Sequence, residues 1–120
     1  MTIEDLEAFC ACWNRHDIEG LMSFMTDDCV FMSSAGPEAH GTRYTGRDAV
    51  REGFMAAWEM VPDAQWKNGR HTILGDRGMS EWTFSGTRRD GSRIEVTGCD
   101  VFTFRDNKIV VKDSFRKQRG

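Results

Sequence analysis

Apolar residues recur at three- and four-residue steps through the first half of the chain and alternate with polar ones through the second. Ile3, Leu6, Phe9, Cys10 and Trp13 trace one stripe, which predicts a first helix. Asp17 stands where its carboxylate can accept from free backbone N–H groups, predicting a short second helix over IEGLMSFM. A brief strand, CVFMS, and a Gly-containing loop from Ser34 to Gly46 follow. Ala49, Val50, Phe54, Ala57, Trp58 and Val61 share one face of a third helix that Pro62 closes. From Asp63 onward the period falls to two, with GDRG, RRDGS and RDNK as turn signals, so four strands form an antiparallel meander. Helices first and one long sheet afterwards is an α+β layout in which three helices cover one face of a sheet that curls around them.

Composition narrows the partners. With 120 residues, 39% of them hydrophobic, the chain has material for one core, and a single domain over residues 1–120 is expected. A net charge of −3 argues against a phosphate-binding surface, so no nucleic-acid partner is expected. The opening MTIEDLEAFC is acidic and amphipathic, unlike a signal peptide. No apolar run approaches the roughly 18 to 20 residues that span a bilayer, so no membrane association and a cytoplasmic location are expected. Four cysteines and three histidines show no metal-ligand spacing, and no metal or cofactor is expected.

The last hairpin carries the candidate chemistry. A two-residue loop at Asp106-Asn107 pairs Phe104 with Ile109 and Phe102 with Val111, and then sets Asp100 opposite Asp113. By alternation Asp100 shares its face with Ile94, Val96, Phe102 and Phe104, and Asp113 shares its face with Ile109, Val111 and Phe115. Lys112 and Arg116 fall on the opposite, polar face. Two carboxylates facing each other on an apolar surface should not both ionise, and such a pair suits a general acid. If Arg89-Asp90-Gly91 is a three-residue loop, Trp82 faces Gly98, Phe84 faces Val96, and His71 joins the interior as a third candidate. A two-residue loop at Asp90-Gly91 would instead bring in Glu81, Thr83 and Ser85.

The phrases WNRHDIEGLMSFMTDDCVF, YTGRDAVREGF and GCDVFTFRDNKI resemble the nuclear transport factor 2 superfamily, in particular its SnoaL-like polyketide cyclase and ketosteroid isomerase-like branch. The resemblance spans nearly the whole chain. It implies a cystatin-like cone, a curved sheet wrapped around three helices with a pocket at the wide end, and a homodimer formed through the sheet. In ketosteroid isomerases a protonated aspartate occupies the place of Asp100, whereas the isomerase tyrosine and basic aspartate correspond to Phe9 and Ser33. Two of three groups are therefore missing, and classical steroid isomerisation is not expected.

The resulting expectation is a cofactor-free cyclase, isomerase or dehydratase acting on a small apolar or polyketide-like carbonyl compound. Asp100, Asp113 and His71 would move the protons. Phe9, Trp13, Phe31, Ser33, Phe54, Trp58, Trp82, Phe84 and Phe102 would line the pocket. Two alternatives stand beside it: a non-catalytic dimeric ligand-binding module, and water activation of the limonene epoxide hydrolase type, which would require Arg70 or Arg43 in the pocket.

Overall fold

The computed structural model describes residues 1–120. Helix α1 spans Ile3–Arg15 and begins in a reciprocal cap, in which the Thr2 hydroxyl accepts from the Asp5 N–H and the Asp5 carboxylate accepts from the Thr2 N–H. It ends where His16 turns left-handed at φ 57°. Helix α2 spans Ile18–Met22, with Asp17 accepting from the Gly20 N–H as the sequence predicts. Strand β1 (Met25–Met32), the short β2 (Arg43–Thr45) and helix α3 (Arg47–Met60) follow. Strands β3 (Gln65–Leu74), β4 (Arg77–Thr87), β5 (Arg93–Arg105) and β6 (Lys108–Arg116) complete the chain.

The six strands form one sheet in the order β2-β1-β6-β5-β4-β3. The expected meander is present, and β1 adds to it in parallel beside β6. Strand β1 begins four residues earlier than the apolar run CVFMS, because the polar stretch Thr26 to Asp28 hides it. β2 lies inside the expected loop. The helices pack on one side, and a single cluster of buried apolar residues joins Leu6, Phe9 and Trp13 of α1, Val50 and Phe54 of α3, and Phe84, Phe102 and Ile109 of the sheet. This is the α+β, curved-sheet architecture expected from the sequence.

Register decides which side chains face inward. The β4–β5 hairpin has Trp82 opposite Gly98 and Phe84 opposite Val96, the first of the two readings above. In β3–β4, His71 lies opposite Ser80 rather than Trp82, because the tight turn is Gly75-Asp76. A shift of two residues preserves the face, so His71 still points to the concave side.

The β5–β6 hairpin corrects the sequence reading. Asp106 and Asn107 both take positive φ, 53° and 61°, and Phe104 pairs with Ile109 as expected. The next pair is Thr103 with Val111. Val110 is an extra residue in β6, a bulge that reverses the facing of everything after it. Asp100 therefore sits opposite Ser114, and Asp113 sits opposite Val101 on the other side of the sheet. Lys112, Ser114 and Arg116 take the inward positions.

Candidate functional site

Between the concave sheet face, α1 and α3 lies a cavity of about 420 Å³, walled mainly by Trp13, Phe31, Tyr44, Trp66, Trp82 and Ile94. Its polar groups come from the loop side, with Ser33, Ser34, Thr42, Tyr44 and Arg88, and from one strand of the floor. Lys112, Ser114 and Arg116 line it at alternate positions along β6. Lys112 is 5% exposed, as is Asp100 behind it.

These two form a buried ion pair, with Lys112 Nζ 3.1 Å from Asp100 Oδ1. Lys112 also donates to Ser114 Oγ at 2.8 Å, and the Ser114 hydroxyl donates onward to Asp100 Oδ1 at 2.5 Å. Trp82 Nε1 donates to the other carboxylate oxygen at 3.0 Å. Asp100 thus meets only donors, which is the environment of an acceptor carboxylate rather than of a shared proton. Phe31, 4.6 Å from Nζ to ring centroid, and Trp13, at 4.9 Å, present ring faces to the ammonium. Burial pushes the Lys112 amine below the ordinary lysine range, and the attraction of Asp100 opposes that shift.

Arg116 stacks its guanidinium over the Phe84 ring at 3.8 Å. Its Nε is buried without a hydrogen-bond partner. Burial lowers its pKa with Asp100 opposing, but arginine starts so high that the group stays charged. Cys10 borders the same cluster from α1, and burial foremost, then the Asp100 charge, pushes its thiol up to about 11. It is not a nucleophile at neutral pH.

The residues singled out from the sequence separate into groups. Asp100 is buried beneath the cavity, on the expected face. Asp113 is not its partner, since the Val110 bulge turns it to the opposite face. There, burial first and the Asp100 charge second raise its pKa, and His40 and Lys112 oppose them. His71 lies in a shallow depression beyond α1 with Glu7, Cys10 and Asn14, outside the cavity. Its Nδ1 is 2.7 Å from Ser80 Oγ, and burial lowers its pKa while Glu7 opposes. Trp13, Phe31, Ser33 and Trp82 line the cavity. Phe9, Phe54, Phe84 and Phe102 are instead fully packed core behind its walls, and Trp58 stands next to Trp13, with ring centroids 5.3 Å apart. Arg43 and Arg70 are exposed and neither lines this cavity, Arg70 bordering instead an open depression with Met79, Glu81 and Cys99, so the two-aspartate, one-arginine arrangement of epoxide hydrolysis is not assembled.

Lys112, Ser114 and Arg116 escaped the sequence reading, which assigned β6 to a strict alternation. A signal was present. Ile109, Val110 and Val111 are three apolar residues in succession, a break in the two-residue period that an extra, unpaired residue produces.

Residues 6–112 match the family model of the SnoaL-like domain. No curated protein sequence is similar enough to match. Among solved structures, a candidate polyketide cyclase from Xanthomonas campestris superposes with a TM-score of 0.84 at 19% identity, covering 95% of this chain and 88% of its own. A protein from Catenulispora acidiphila with a ketosteroid isomerase-like fold, solved in complex with trimethylamine, gives 0.82 at 17% identity, covering 96% and 86%. TerC, co-crystallised with polyporic acid, gives 0.79 at 22% identity, covering 96% and 90%. At these identities the likeness is one of fold.

Proposed function

Because the chain belongs to the SnoaL-like domain family, we propose that it is a cofactor-independent acid/base enzyme acting on a small, mainly apolar carbonyl compound in the cavity above Lys112. The reaction is a cyclisation, an isomerisation or a dehydration. The observation that carries this reading is a buried ammonium at the floor of an aromatic cavity, held by Asp100 and Ser114.

The ammonium donates to Ser114 and is ion-paired with Asp100, and on this reading a further hydrogen, turned toward the cavity between the rings of Trp13 and Phe31, is offered to a substrate oxygen. Enolisation, aldol closure and β-elimination all build negative charge on a carbonyl oxygen, and since no carboxylate or imidazole lines the cavity the proton that leaves carbon passes to a solvent water or hydroxide admitted with the substrate. A donor already oriented in a low-dielectric site stabilises that charge without reorganising when it forms. Asp100 balances the buried cation, and Trp82 and Ser114 fix the carboxylate, so Lys112 keeps one geometry. The depressed amine pKa also eases delivery of its proton to the oxygen. That one similarly folded protein was crystallised with polyporic acid and another with trimethylamine supports the use of such a cone for small molecules.

Exchange of the α-protons of β-tetralone in D2O, followed by proton NMR, tests the reading without knowledge of the natural substrate. The protein should accelerate exchange above the buffer rate, and Lys112→Met should abolish the acceleration while β-tetralone still binds. Exchange at the buffer rate in the presence of the unmodified protein, with binding intact, favours a second reading, a non-catalytic ligand-binding module. One observation speaks for that module: no carboxylate or imidazole lines the cavity to act as a base.

A further inference from the structure

The cavity wall carries three cations, Lys112, Arg116 and Arg88, and no carboxylate. Lys112 is neutralised from behind by Asp100. Arg116 is not in an ion pair with any side chain, and its buried Nε has no hydrogen-bond partner. A buried donor atom left unpartnered on a half-buried, charged side chain is costly unless a ligand supplies the acceptor.

A second, independent feature lies outside. The cavity shares Ser34, Ala35, Arg88, Ile94 and Arg116 with an adjoining surface depression of about 520 Å³. That depression is lined by Arg88, Arg93, Arg116, Lys117 and Arg119, with Glu95 as its single acidic residue. Only Arg93 is ion-paired, with Asp63 at 3.8 Å. The chain as a whole carries a net charge of −3, so this concentration of positive charge is local to the approach to the cavity. A cleft lined by one sign of charge with low-dielectric walls raises the local concentration of the opposite ion.

We propose that the ligand of this cavity is an anion, an apolar or aromatic body bearing one ionised oxygen group, such as a carboxylate, that is drawn in past Arg88 and docks on Arg116. This rests on the reading of the cavity as a small-molecule site and deepens it by naming the charge of the ligand. The apolar body lies against Trp82, Phe31 and Ile94. The guanidinium of Arg116 supplies a planar set of donors matched to a carboxylate. The Lys112 ammonium is then left for a second oxygen, the carbonyl at which the chemistry occurs.

The test is a matched pair of probes, 2-naphthoate and 2-naphthamide, titrated calorimetrically into the full chain at low and high salt. The naphthoate should bind at least about tenfold more tightly in low salt, and the margin should shrink as salt screens the approach. Arg116→Met keeps the length and the apolar stack on Phe84 and should erase most of the preference. Because that side chain is half-buried, a second variant, Arg88→Gln/Lys117→Gln/Arg119→Gln, alters only exposed residues and should weaken naphthoate alone, by about three- to tenfold at low salt. Equal binding of the two probes, or a preference that survives both variants, overturns the proposal while leaving the small-molecule cavity standing. Failure of both probes, together with failure of β-tetralone, to bind overturns the cavity reading as well.

Discussion

At the scale of single residues, Lys112 is the one whose placement has the largest consequence. Removing one member of a buried ion pair leaves the other charged and stranded, at a cost of about 3–5 kcal/mol. Lys112→Met is therefore expected to destabilise the protein by about that amount in urea or guanidinium denaturation, although Met fills the same space among Phe31, Trp13 and Phe54. The loss comes from Asp100, whose Oδ1 keeps only the Ser114 hydroxyl and whose charge loses its counter-ion. Asp100→Asn in the Lys112→Met background removes the stranded charge and should recover at least half of the loss, whereas in the parent it should destabilise. A Lys112→Met variant as stable as the parent would mean that the pair is not closed in solution.

At the scale of elements, the Asn14 side chain is the main polar tie between α1 and the sheet edge, with Gln65 Nε2 donating back to the Asn14 carbonyl at 3.0 Å. Asn14 donates through Nδ2 to the Trp66 carbonyl at 3.0 Å and accepts through Oδ1 from the Trp66 N–H at 2.7 Å. It thereby pairs both backbone groups of the second residue of β3, as a neighbouring strand would. Asn14→Leu keeps the size and strands both groups, so a loss of about 2–4 kcal/mol is expected, read from denaturant midpoints. The cavity should also loosen, since Trp66 forms part of its wall. A loss under about 0.5 kcal/mol, the size of an ordinary surface substitution, would show that water replaces the amide at no cost. The same scale explains what the sequence discloses. The helices are legible because their stripes and ends are local: the apolar stripe of α1, Asp17 at the start of α2, Pro62 after α3. The Asp106-Asn107 turn is legible because its left-handed conformation suits these residues, and it sets the pairing correctly as far as Ile109. The site is not legible beyond that point, because a single bulged residue exchanges the faces of Lys112 and Asp113. The pairing of β6 with β1 on its other edge involves residues about eighty positions away, which no local pattern records.

At the scale of the whole molecule, core and cavity divide the interior between them. Leu6, Leu21, Met25, Phe102 and Ile109, none more than 1% exposed, fill the side toward the β5–β6 turn. Around the cavity the wall includes Ser34 and Ala35 of an exposed loop and Met60 at the end of α3, which is 71% exposed. Apolar burial supplies most of the stabilising free energy, so the loop and the end of α3 should open locally at a free energy far below that of global unfolding. A ligand in the cavity bridges those segments to the sheet and adds contacts only where they are sparse. Hydrogen exchange read by mass spectrometry should therefore show that 2-naphthoate slows the amides of residues 33–46 and of the last turn of α3. The amides of the β5–β6 hairpin next to Phe102 and Ile109, which exchange only through global unfolding, should slow solely by the amount that mass action adds, about 2.7 kcal/mol at a ligand concentration one hundred times Kd. Protection confined to Met79, Cys99 and Phe115 on the convex face would place the ligand on the wrong side of the sheet and remove the basis for chemistry at Lys112.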